Sequence, residues 1–183
     1  MLQQYNALKA KYKDCVLLFR LGDFYEGFYD DAKTLSKVLG LTLTGRGKED
    51  NRTPMAGIPY HALNTYLPRL IKAGYKVAIA DQMEEPIPGQ IVKRDVTKVI
   101  TAGTIIDENS LDGYLNNYLV SIYRKTIKGI NIWGMSFCDI STGEFKVLEY
   151  LNRGIDLPRE LLIEIFRLNP AEIIVPKFMI SDF

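Results

Sequence analysis

C-V-L-L-F-R-L-G-D-F-Y-E-G-F-Y-D-D-A, Cys15 to Ala32, carries the change of period that decides the fold. Cys15 to Phe19 is a continuous apolar run of strand formers, and Arg20-Leu21-Gly22 follows it at once, so the pattern predicts a buried strand leading into a turn. Beyond Gly22 to Glu26, the residues Phe28, Ala32, Leu35 and Leu39 fall on one helical face, and Gly40 stands where a C-terminal helix cap belongs. A strand and a helix in close succession indicate an α/β chain.

On the amino-terminal side, Leu2, Tyr5, Leu8 and Tyr12 recur at three- to four-residue spacing and predict an amphipathic helix. On the other side, Leu41 to Thr44 alternates like a half-buried strand, and Gly45 to Thr53 is a polar, Gly-rich loop with Arg46, Lys48 and Arg52. Pro54 to Tyr60 has too much Pro and Gly for a helix, which resumes from His61 through Leu63, Tyr66, Leu67, Leu70 and Ile71 and stops at Gly74. Lys76 to Asp81 and Val92 to Thr101 read as strands on either side of a loop at Glu84 to Gln90. A first domain, 1–103, is expected to close there, with a linker at 104–117. The second, 118–183, predicts a three-strand meander (Tyr118 to Arg124, Ile130 to Ile140, Glu144 to Tyr150). A helix through Leu161, Leu162, Ile165, Phe166 and Leu168 and a strand at Glu172 to Val175 complete a β-β-β-α-β order. The last eight residues show no closing element, so this half reads as cut short and the chain as a fragment.

Of the 183 residues, 47% are apolar and 25% charged, as in a soluble globular protein. Lys plus Arg number 23 and Asp plus Glu 22, so nucleic-acid contact would have to be local. No apolar run approaches a membrane span and the amino terminus is polar, so a cytoplasmic location is expected. Cys15 and Cys138 read as free, buried thiols, and with a single histidine they cannot form a four-ligand zinc site. G-x-S-x-G, H-E-x-x-H and G-x-x-x-x-G-K-[ST] do not occur, which favours binding over catalysis and assigns no cofactor to these residues.

Within G-D-F-Y-E, Phe24 and Glu26 share a face if the segment is extended. Two readings stand. In the first, favoured by spacing alone, Phe24 packs in the core while Asp23 and Glu26 cap the following helix. In the second, Phe24 is an exposed wedge that enters a duplex from the minor groove and unstacks it. Stacking on a base yields about 1 to 3 kcal/mol, whereas bending DNA costs roughly 1 to 6 kcal/mol, so a wedge succeeds only where a mismatch or unpaired base lowers the cost. Glu26 beside phosphates is repulsive unless a base offers it a donor or it takes up a proton. Arg46, Lys48, Arg52, Lys93, Arg94 and Lys98 suit sequence-independent phosphate contact or an ordinary solvated surface. Asp139 and Glu144 bracket a hairpin turn, but two-metal nuclease chemistry needs further converging carboxylates, and Tyr118 to Arg124 offers none. His61 follows Pro59-Tyr60 at a helix start, where a packed or hydrogen-bonded role is expected rather than that of a base.

R-L-G-D-F-Y-E-G-F-Y-D-D-A (Arg20 to Ala32), T-G-R-G (Thr44 to Gly47), P-M-A-G-I-P-Y-H-A (Pro54 to Ala62), Y-L-x-x-L-I-x-x-G (Tyr66 to Gly74) and V-A-I-A-D-Q (Val77 to Gln82) closely resemble, in order and spacing, the amino-terminal mismatch-recognition domain of the bacterial MutS family. F-C-D-I-S-T-G-E-F (Phe137 to Phe145) resembles the start of that family's connector domain, which has a ribonuclease H-like fold without nuclease activity. The resemblance implies a mixed-sheet, MutS domain I-like module followed by a partial connector. It implies that Phe24 stacks on a mispaired or unpaired base, that Glu26 hydrogen-bonds it, that Arg46 and Arg94 lie near the DNA backbone, and that Met55 lies near the same groove. Lys98 joins these as a basic candidate. Gly27 stands where members often carry a larger residue, implying a looser loop beside the wedge. The resemblance also implies DNA mismatch repair, a homodimer, the partner MutL, and ATP and Mg used by a carboxy-terminal domain absent here, so that this stretch is itself no enzyme. A MutS-like paralogue for branched or recombining DNA is the alternative.

Overall fold

The computed structural model describes residues 1–47, 52–85, 91–105, 116–152 and 156–182. It divides into two compact units, Met1–Ala102 and Gly103–Phe183. Lys48, the tip of the Glu84 to Gln90 loop and most of the expected linker lie outside the described residues.

In the first unit, α1 (Leu2–Lys11) precedes β1 (Cys15–Leu21) and β2 (Phe24–Phe28), and α2 (Tyr29–Leu39) follows without a break. Then come β3 (Thr44–Arg46), β4 (Thr53–Pro59), a 3-10 turn (Tyr60–Ala62), α3 (Leu63–Lys72), β5 (Lys76–Gln82) and β6 (Arg94–Ile100). The strands form one sheet in the order β3-β4-β2-β1-β5-β6, with β1 and β5 parallel and the other neighbours antiparallel. Strand alternation divides the sheet into two faces. Tyr5 and Leu8 of α1 cover Cys15, Leu17, Phe19, Phe28, Ala78 and Ala80 on one face. On the other, Leu35 of α2 lies over Gly27, and α3 packs along β5. Buried Asp31 fastens the layers: it accepts from the Tyr5 hydroxyl at 2.5 Å, Lys9 Nζ at 2.8 Å and the Leu17 amide at 3.2 Å.

In the second unit, β7 (Tyr118–Ile127), β8 (Ile130–Asp139) and β9 (Glu144–Asn152) form the expected meander. Helix α4 (Arg159–Leu168) returns the chain to β10 (Glu172–Ile174), parallel to β7, in the sheet order β10-β7-β8-β9. Trp133, Met135 and Phe137 of β8 pack with Leu161 and Leu168 of α4. Mixed sheets with helices laid on them make the chain α/β, as the sequence pattern indicates.

Several expectations need correction. Leu41 to Leu43 form no strand, because the Leu41 carbonyl is taken by the Ser36 hydroxyl at 2.7 Å; pairing begins at Thr44, opposite Met55. Asp23 and Glu26 do not cap α2, whose first turn carries Asp30 and Asp31. Gly27 lies in a paired strand rather than a loose loop, and a Cβ there would meet Leu35 Cδ1 at 2.6 Å. Cys15 is buried, but Cys138 is only half-buried, since alternate residues of β8 point away from α4. Phe166, expected on the packed face of α4, is 81% exposed. The carboxy-terminal stretch does form an element, a 3-10 helix at Lys177–Asp182, whose Met179 is fully buried in the core.

Candidate nucleic-acid interface

The turn Gly22-Asp23 joins β1 to β2 through the register pair Leu21 and Phe24, with Gly22 at a φ of 55°, the left-handed region that glycine adopts without strain. The Tyr60 amide donates to the Asp23 carbonyl at 2.9 Å, fixing the turn against the end of β4. Arg20 supports it from β1: its guanidinium donates to the Gly22 carbonyl and stacks 3.7 Å from the Tyr60 ring centroid. Phe24 therefore stands at the tip of a braced strand, yet it is 47% exposed, which overturns the core-packing reading favoured by spacing alone.

Register places Phe24, Glu26 and Phe28 of β2 on the same face as Pro59, Gly57 and Met55 of β4, and as Thr44 and Arg46 of β3. This is the face on which α1 packs, and α1 covers only part of it. Phe28 lies under Tyr5, whose hydroxyl receives the Phe28 amide at 3.1 Å, whereas Phe24 remains open. Glu26 lies between these two. Its side chain is 16% exposed, and Oε2 is buried without a hydrogen bond, 3.5 Å from Nη1 of Arg46. Burial pushes the Glu26 carboxyl above the usual range, and the Arg46 charge offsets this only in part.

The structure thus brings Phe24, Glu26, Met55 and Arg46 onto one face. Arg94 approaches the same face from the opposite side, with its guanidinium 5.3 Å from the centroid of Phe19, the register neighbour of Glu26. It donates to the carbonyls of Arg20 at 2.6 Å and Val92 at 2.7 Å, and burial lowers its pKa, so in this state it braces the backbone. Lys98 is exposed on edge strand β6, separated from β2 by β1 and β5. Arg20 and Tyr60 escaped the sequence reading as members of the site; the signal for them was an aromatic at the end of a Pro-Gly-rich strand opposite a basic residue.

Asp139 and Glu144 behave differently. Asp139 is buried and accepts from the Ser141 amide and hydroxyl and from the Asn117 amide, while Glu144 accepts from Lys146 and the Tyr118 hydroxyl. These carboxylates are engaged in closing the hairpin, and among the described residues no group of three or more His, Cys, Asp or Glu is placed to hold a metal ion.

The family model for MutS domain I matches residues 1–109, and that for MutS domain II matches residues 117–182. This chain belongs to the MutS family. Proteins described as DNA mismatch repair protein MutS are 46% identical to it in Staphylococcus epidermidis (100% of this chain, 20% of the relative) and 49% identical in Alkaliphilus oremlandii (95% and 19%). The protein of that description from Methanosarcina mazei is 46% identical over 96% of this chain and 20% of its own length. The chain thus spans about a fifth of the length of the curated relatives it matches. No helix among the described residues is long and apolar enough to cross a membrane.

Proposed function

We propose that this MutS chain reads mispaired or unpaired bases in duplex DNA, with Phe24 as the minor-groove wedge and Glu26 as the carboxyl that contacts the base, and that it thereby initiates DNA mismatch repair. The observation that carries the reading is a half-exposed phenylalanine on a braced strand tip, two residues from a buried carboxylate oxygen without a hydrogen bond. An aromatic so placed can stack without reorganising its support, for about 1 to 3 kcal/mol, too little to open a stiff duplex and enough where pairing is already lost. Arg46 and Lys98, both exposed, supply phosphate contacts; Arg94 does so once it leaves its carbonyl partners. Met55 borders the groove-facing surface.

A homodimer, the partner MutL and a cytoplasmic location belong to the same proposal. So do ATP and Mg, for which these residues are not suited: no Gly-Lys-Ser/Thr phosphate loop occurs in the 183 residues, and the nucleotide is assigned to other parts of the protein. On this reading the chain itself is a binding module and no enzyme.

The test compares dissociation constants for G·T-mismatched and matched duplexes at fixed salt, using the full open reading frame that encodes this chain. Wild type is expected to prefer the mismatch. Phe24→Ala is expected to bring the ratio close to one, a loss of roughly 5- to 150-fold at the stacking energy of one base. A ratio near one in both proteins would refute the wedge and favour branched DNA as the ligand.

A further inference from the structure

The Glu26 side chain does not stand out beside Phe24. It crosses the neighbouring strand β4 at Gly57, its register partner, where a Cβ would lie 3.0 Å from Glu26 Cγ and 2.8 Å from the Tyr25 carbonyl oxygen. Beyond β4 the carboxylate meets Arg46 of β3 at 3.5 Å, too long for a hydrogen bond and close enough for an ion pair. We propose that Arg46, with Gly57 beneath, is a positioning residue that stores Glu26 across β4 in the free protein, so that Glu26 reaches a base only when Arg46 has left it for a DNA phosphate. This inference rests on the mismatch-reading function proposed above.

The chemistry makes the two events exclusive. Arg46 is half exposed, with a side-chain accessibility of 51%, and its planar fork suits a phosphate better than a single buried oxygen offered at 3.5 Å. Its departure leaves Glu26 without a counter-charge in a desolvated position. Among the described residues the other neighbours on this face supply none: on β4 it carries Thr53, Met55, Gly57 and Pro59, and on β1 it carries Phe19. The Arg94 guanidinium above Phe19 is occupied by two backbone carbonyls. An uncompensated buried carboxylate must find a donor or a proton. Bases stacked in an intact duplex do not move to supply one, and a mispaired base does. Arg46 thus converts phosphate engagement, which is blind to sequence, into a demand on the base.

Two measurements test the inference. In the first, the Glu26 carboxyl is titrated by carbon-13 NMR in the 183-residue chain without DNA. Its midpoint is expected to rise in Arg46→Gln, because the positive charge that favours ionisation is gone; an unchanged midpoint would show that the pair does not exist. The second is a cycle of dissociation constants for matched duplex at fixed salt in the full open reading frame, with Arg46→Gln, Glu26→Gln and the double variant. Parting the ion pair consumes some of the phosphate attraction in wild type. Arg46→Gln should therefore weaken binding at least about two- to five-fold more in the Glu26→Gln background than in wild type, the lower bound being the range of fully exposed ion pairs. Equal losses would overturn the proposal. Phe24→Ala in the same series isolates the functional reading: an unchanged mismatch ratio there refutes the wedge, while the titration still decides the ion pair.

Discussion

The start of β2 and the β8–β9 hairpin are built from similar parts, a turn with an aromatic and two carboxylates close by, and they treat those parts in opposite ways. At the hairpin, Asp139 Oδ1 accepts from the Ser141 amide at 2.9 Å and hydroxyl at 2.6 Å, and Oδ2 accepts from the Asn117 amide at 3.1 Å. Burial acts to raise the Asp139 pKa, but these hydrogen bonds outweigh it and hold the carboxyl below the usual range. At β2, burial acts on Glu26 in the same sense, the Arg46 charge opposes it only in part, and the carboxyl ends above the usual range. Buried polar groups in folded proteins are almost always satisfied, so a satisfied carboxylate explains itself as structure. One left unsatisfied beside an exposed aromatic is the arrangement that the proposed base contact would use.

The strongest attack on this contrast is Asp139→Ala. It removes the acceptor of the part-buried Ser141 and Asn117 amides and is expected to destabilise the second unit by about 1 to 2 kcal/mol in urea unfolding, leaving mismatch preference intact. The wild-type contribution of Asp139 is fully present above the ordinary carboxylate range and is lost as the pH falls through its depressed folded value, so the variant's deficit should shrink in acid. Phe24→Ala should do the reverse, keeping stability within about 0.5 kcal/mol and losing the preference. A stable Asp139→Ala protein would erase the distinction between the two turns.

Much of this was legible in the sequence. Period and turn chemistry located the helices, the meander and the β-β-β-α-β order, because long amphipathic segments decide their own class. Spacing also put Phe24 and Glu26 on one face. It failed to expose Phe24, since exposure depends on where α1 ends over the sheet, and nothing local to G-D-F-Y-E encodes that. It misplaced β3, whose pairing is dictated by Pro54 and Met55 across the loop rather than by the Leu41 to Thr44 alternation. The use of Arg94 as a backbone brace and the path of Glu26 over Gly57 are both contacts across strands, invisible until register is known.

Gly57→Ala probes the site from beneath. Its new Cβ would press on the Tyr25 carbonyl at 2.8 Å and on Glu26 Cγ at 3.0 Å, at an overpacking cost of about 1 to 3 kcal/mol. Gly134→Ala in β8 is the matched control, because its Cβ would find its nearest neighbour, the Tyr123 carbonyl oxygen, at 3.9 Å. That substitution is expected to be neutral or to stabilise by up to about 1 kcal/mol through the unfolded state. Equal thermal shifts in the two variants would mean that Glu26 does not rest on Gly57.

The smallest effect is also the one whose sign is most informative. Glu26→Gln keeps the shape of the side chain and removes its charge. Because the folded-state pKa of Glu26 lies above its unfolded value, the folded protein holds the proton more tightly, and the contribution of this group to stability is present below the ordinary carboxylate range and lost as the pH rises through the raised folded value. Glutamine cannot ionise and suffers no such loss. The variant should therefore melt with wild type on the acid side of about pH 4.3, the ordinary glutamate value, and above wild type at neutral pH, with the difference opening between these limits. A neutral-pH Tm below that of wild type would mean that Arg46 more than compensates the burial of Glu26, making the pair a structural ion pair like those of the hairpin. The contrast between the two turns would then rest on the exposure of Phe24 alone.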